Sequence, residues 1–94
     1  MEHTPGTFVV VRAFGDEALV RRLWSENDSV VWIYDDEQFV RRTEGKPTCE
    51  PMGFPIEDVY VFNPQKDSLT ALHEPNWWEK LRPWINRRPL IGAR

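Results

Sequence analysis

The chain reads as a small, mostly-β domain in which about five short strands form a barrel, with a short inserted helix and a tryptophan-rich helix at the C-terminal end. Three observations lead to this reading. Short runs of β-branched and aromatic residues alternate with turn residues up to position 63. An acidic helix start interrupts them after Tyr34. The last nineteen residues then hold three of the five tryptophans and reverse the charge of everything before them.

Residues 1–6 read as a short flexible N-terminus and residues 7–14 (TFVVVRAF) as the first strand. Gly15-Asp16 marks a turn. Residues 17–24 (EALVRRLW) fit a helix nearly as well as a strand, since apolar residues fall at 18, 19, 20, 23 and 24. The flanking GD and SENDS turns leave only eight residues, a usual strand length and short for a helix, so a strand is expected. Residues 30–34 (VVWIY) are the clearest strand, with Val31 and Ile33 on one face and Val30, Trp32 and Tyr34 on the other.

Asp35 is placed to cap a helix over 36–43, with Asp36 and Glu37 in its first turn and Gly45 as its stop. Pro47, Pro51, Gly53 and Pro55 predict an irregular loop entering a short edge strand at most. Residues 60–62 make the last strand, and 64–75 a polar connection in which Leu69 and Leu72 are candidate anchors. Asn76 and Glu79 have the spacing of a capping box, which predicts a helical segment over 76–88. Trp77, Leu81 and Trp84 would share one side of that helix, and Pro83 should break or kink it. Residues 89–94 read as a loose tail.

Ninety-four residues make one domain. A chain of this length hides only about 60–65% of its unfolded surface, so its core depends on a few large side chains. Twelve aromatic residues suit that need. The lone Cys49 rules out an intramolecular disulfide and fits a reducing, cytoplasmic setting. His3, His73 and one cysteine do not supply a four-ligand zinc set without carboxylate help, so neither metal nor cofactor is expected. No apolar run approaches the roughly 18 residues that span a bilayer, and no membrane role is expected.

The stretch 52–59 (MGFPIEDV) resembles the end of a Src-homology-3-like barrel, where a strand, a proline, one 3₁₀ turn and a valine precede the last strand. Pro55 and Val59 carry that spacing. The resemblance implies barrel architecture over 7–63. In the peptide-binding members, proline-rich ligands are held by a tyrosine-bearing first loop, a tryptophan opening the third strand and a tyrosine before the valine. Phe14 and Trp32 stand in for the first two here, while Asp58 occupies the last position, a departure from that pattern.

Residues 1–75 carry a formal charge of −7 and the remainder +4, for a total of −3. A basic aromatic tail on an acidic body points to binding rather than catalysis. Cys49 has no base or oxyanion site placed by any motif, and no glycine-rich phosphate loop is present. The expected function is a non-catalytic interaction or regulatory module for a protein partner. Trp77, Trp78, Leu81 and Trp84 would be its anchors, and Arg82, Arg87 and Arg88 its electrostatic rim. The alternative is a nucleic-acid-associated barrel that uses the tail basics with Arg41 and Arg42, against which overall acidity argues. Phe14, Trp32 and Tyr34 form a further candidate, an aromatic pocket for a cation beside Asp35, Asp36 and Glu37.

Overall fold

A computed structural model describes residues 4–84. The strands are β1 (Phe8–Arg12), β2 (Ala18–Glu26), β3 (Val30–Tyr34), β4 (Met52–Pro55), β5 (Val59–Val61) and β6 (Arg82–Pro83). One helix, α1 (Asp36–Thr43), lies between β3 and β4. All six strands join one antiparallel sheet in the order β4-β3-β2-β1-β5-β6. β4 and β6 are its two edges and are not paired with each other, so the described residues do not form a closed barrel.

Residues 17–24 are strand, as their short span between turns predicts. β2 runs two residues further than expected because it carries a bulge. Leu23 pairs with Ile33 and Ser25 with Trp32, leaving Trp24 as the extra residue. Ser25 and Glu26 are therefore ladder residues, and the turn contracts to 27–29. The Asn27 side-chain carbonyl closes that turn by accepting from the N–H groups of Ser29 and Val30, both at 2.8 Å.

The helix forms for the reasons its sequence states. The Asp35 carboxylate accepts from the Gln38 N–H at 2.7 Å, satisfying one of the free donors of the first turn. At the other end Gly45 takes φ 77°, Gly45 N–H donates to Arg42 O at 3.1 Å, and Lys46 N–H to Arg41 O at 2.9 Å. That pair of bonds is a Schellman stop, which favours glycine at the left-handed position.

The segment from residue 76 differs from expectation. Asn76 is left-handed at φ 58° and makes no side-chain cap bond. A single 3₁₀ turn (Trp77–Glu79) follows, and Arg82 and Pro83 pair with Val61 and Tyr60. No α-helix forms over 76–84. Pro83 lacks the N–H and clashes with the preceding turn of a helix, and it sits comfortably on an edge strand. The barrel-and-connection division at residue 63 also changes, since the sheet takes its sixth strand from beyond the 64–75 connection.

This path carries the chain from one face of the sheet to the other. Trp77 and Leu81 pack with Val10, Tyr60, Phe62 and Leu72 on one face. Trp84 packs on the opposite face with Val9, Val11, Leu23, Val31, Ile33, Ile56 and Val59. Both faces of β1 are thus covered, and Val9, Val10 and Val11 are all fully buried. Of the two leucines in the connection, Leu72 is buried as an anchor and Leu69 is exposed.

Candidate functional site

The turn joining β1 to β2 bears the most exposed aromatic of the described residues, Phe14, whose ring lies wholly in solvent. Strand β1 ends at Arg12, and residues 14–16 form a 3₁₀ turn. The turn is held from several sides. Gly15 and Asp16 both adopt the left-handed region, with φ of 76° and 61°. Ala13 N–H donates to Glu17 O at 2.8 Å, and Asp16 N–H to Ala13 O at 3.0 Å. The indole N–H of Trp77 donates to the Asp16 carbonyl at 2.8 Å, pinning the turn to the distant connection.

Beside this turn lies a cleft of about 540 Å³, walled by 15–18 on one side and 72–78 on the other. Asp16, Glu17 and Glu74 line it with His73 and the rings of Trp77 and Trp78, and no lysine or arginine does. Two neighbouring cations pair with two of these carboxylates, leaving Glu17 without an ion pair among the described residues. Lys80 pairs with Glu74 at 2.7 Å. Arg12 lies 4.8 Å from the Trp78 ring centre and ion-pairs with Asp58 at 3.3 Å and Asp16 at 3.9 Å. The two lining indoles meet edge-on at 5.8 Å, and Trp77 is backed by the buried Tyr60 ring at 5.3 Å. Burial, the largest influence, raises the Tyr60 hydroxyl above its usual pKa, with Asp58 and Asp16 adding and Arg12 opposing.

The residues expected to anchor a partner are distributed otherwise. Trp77 is 3% exposed, Leu81 9% and Trp84 1%, so these three are core side chains. Their places on opposite faces of the sheet are the reason they form no surface stripe. Trp78 is half-buried along the cleft, Arg82 is exposed on β6, and Arg87 and Arg88 lie outside the described residues.

Phe14, Trp32 and Tyr34 do not converge into a pocket. Phe14 is in the β1–β2 turn. Trp32 lies over Gly53 of β4, so close that a Cβ on Gly53 would come within 2.7 Å of the indole. Tyr34 is buried edge-on to Trp24 at 5.6 Å, and its hydroxyl donates to the Cys49 carbonyl at 2.9 Å.

The aromatic cluster that does form, beneath α1, joins Trp24, Tyr34 and Phe39. Arg42 lies 4.8 Å from the Trp24 ring centre and donates to the Tyr34 hydroxyl at 2.6 Å. Arg22 sits between Phe8 (4.5 Å) and Phe39 (4.9 Å) and ion-pairs with Asp36 at 3.0 Å. Arg41 donates to the Pro47 carbonyl at 3.2 Å. Arg22 and Arg42 are thereby committed to packing against this cluster. Strand alternation puts Trp24 on the same face as Arg22, and only the bulge that shifts the register beyond it had no sequence signal.

Among the described residues no group of histidine, cysteine or carboxylate side chains is placed to hold a metal ion. No helix among them is long and apolar enough to cross a membrane. No protein-family model, curated protein or solved structure matches the chain.

Proposed function

We propose that this chain is a non-catalytic protein-interaction module of the Src-homology-3-like barrel type, and that it binds a basic polypeptide segment at the acidic cleft. One observation carries the binding reading: a fully exposed phenylalanine stands on a turn fixed by Trp77, beside a cleft lined by three carboxylates. An aromatic on a rigid support loses little freedom on binding, which is why such residues dominate interface energetics. The carboxylates select a partner bearing lysine or arginine next to an apolar residue that packs on Phe14.

The barrel assignment draws support from connectivity. β1 to β4 form a meander, β5 returns to pair with β1, and a 3₁₀ turn (Ile56–Asp58) after Pro55 leads directly into Val59. Placing recognition at the β1–β2 turn leaves Trp77, Leu81 and Trp84 to their packing role. Of the expected tail anchors, the buried Trp77 and the half-buried Trp78 line the cleft. The nucleic-acid alternative needs the tail basics with Arg41 and Arg42, and Arg42 is engaged by Trp24 and Tyr34.

The test is an amide NMR titration of the full chain with short peptides that place lysine or arginine beside leucine or phenylalanine. Acidic peptides of the same apolar content and a single-stranded oligonucleotide serve as comparisons. Basic peptides should move resonances of 13–18 and 72–78, and Phe14→Ala should weaken that binding without altering the rest of the spectrum. Equal binding of acidic peptides, or a preference for the oligonucleotide that falls steeply with salt, would sink the proposal.

A further inference from the structure

Strand alternation places Arg21 on the Trp84-bearing face of the sheet. It is opposite Val9 in the β1–β2 register and in line with Leu19 and Leu23 on its own strand. Glu26, the other charged side chain β2 puts on this face, accepts from the Trp84 indole N–H at 2.9 Å, whereas Arg21 lies toward β4. Arg21 lines a cavity of about 230 Å³ whose apolar walls are Leu19, Ile33, Met52 and Phe54, contributed by β2, β3 and β4. Its guanidinium donates through Nη1 to the Val20 carbonyl at 2.8 Å, and no carboxylate of the described residues lies within ion-pair distance of it.

The remaining wall is preformed. The Cys49 N–H donates to the Gln38 side-chain carbonyl at 3.2 Å, while the Cys49 carbonyl accepts from the Tyr34 hydroxyl at 2.9 Å. The loop after α1 is thus tied across the cavity. Asp35 and Glu50 also line it. Their charge disfavours an anion at their side, and one Asp35 oxygen is taken by the helix cap. A bound anion is therefore directed to the Arg21 corner. The volume is sufficient for a short carboxylic acid.

We infer that this cavity is a second binding site, which takes a small carboxylic acid with an aliphatic or aryl body. The carboxylate meets Arg21 and the body lies against Leu19, Ile33, Met52 and Phe54. Guanidinium suits this role because its planar fork matches a carboxylate, and the pairing is worth more beside apolar walls than in open water. The site lies on the opposite face of the sheet from the acidic cleft and does not depend on it.

The experiment is an amide NMR titration of the full chain with 4-methylpentanoate and phenylacetate, each beside its neutral amide. The acids should move resonances along β2, β3 and β4 and leave 72–78 unmoved. The amides should bind at least about tenfold more weakly, the effect of losing one charge-assisted hydrogen bond. Arg21→Gln should abolish the difference between acid and amide, and Arg21→Lys should restore part of it. Equal binding of acid and amide overturns the inference, as does an acid preference that survives Arg21→Gln or no response at tens of millimolar. Should Arg21→Gln fail to fold, the acid–amide comparison on the unaltered chain still decides.

Discussion

Replacing Trp77 tests whether the segment after residue 75 is core or appendage. Its ring is buried against Tyr60 and Trp78, and its indole N–H reaches the Asp16 carbonyl at 2.8 Å. Truncating a buried tryptophan to alanine costs about 3–5 kcal/mol, since lost transfer energy and the residual cavity act together. A domain of this size is held by roughly 5–14 kcal/mol in all, at the usual stability per residue. Trp77→Ala should therefore remove about a fifth or more of the stability and lower the Tm by roughly 12–40 °C, at about 4–8 °C for each kcal/mol. Trp77→Phe retains an aromatic ring and removes the donor, and should cost about 1–3 kcal/mol. Urea unfolding followed by far-UV circular dichroism reads both values, with the slope confirming that the same cooperative unit unfolds. A Trp77→Ala loss below about 1 kcal/mol at unchanged slope would refute the reasoning, because exposed aromatics show effects of that size.

Four further outcomes are expected. Asp35→Ala should cost about 0.5–2 kcal/mol in urea unfolding through loss of the cap on α1, with Asp35→Asn nearly neutral. Gly53→Ala would set a Cβ 2.7 Å from Trp32 and 2.9 Å from Val30, so Trp32 must swing outward. A loss of about 1–3 kcal/mol is expected there, and an unchanged denaturation midpoint would contradict the packing. Phe14→Ala should change stability by no more than about 0.5 kcal/mol, because its ring touches only solvent.

Tyr60 controls part of the alkaline limb. Its folded pKa lies above the ordinary 10.0, so above that pH the unfolded chain releases this proton first. Its contribution is whole below pH 10.0 and is lost as pH rises toward the folded value. Tyr60→Phe should flatten that decline, as measured by urea midpoints across the alkaline range.

Local chemistry made much of this fold legible. Asp35 and Gly45 bound α1 where their side-chain and backbone preferences place the ends. The short span between turns marks β2 as a strand, and Pro51 and Pro55 confine β4 to an edge. Trp77, Leu81 and Trp84 are the instructive failure. Their spacing matches a helical stripe, yet periodicity records only separation along the chain. With Pro83 on the edge strand, Trp84 passes to the far face while Trp77 and Leu81 stay on the near one.

The sequence by itself determined the mostly-β class, the inserted helix with both its caps, and the charge opposition between body and tail, since these follow from neighbours in the chain. Only the tertiary structure decided which aromatics are core. It alone tied the turn that bears Phe14 through a bond between Trp77 and Asp16, 61 positions apart, and set Arg21 beside the apolar walls of a cavity. Those outcomes depend on which strands pair and which face each residue meets. Such information arises when distant segments compete for the same buried surface, and no local pattern contains it.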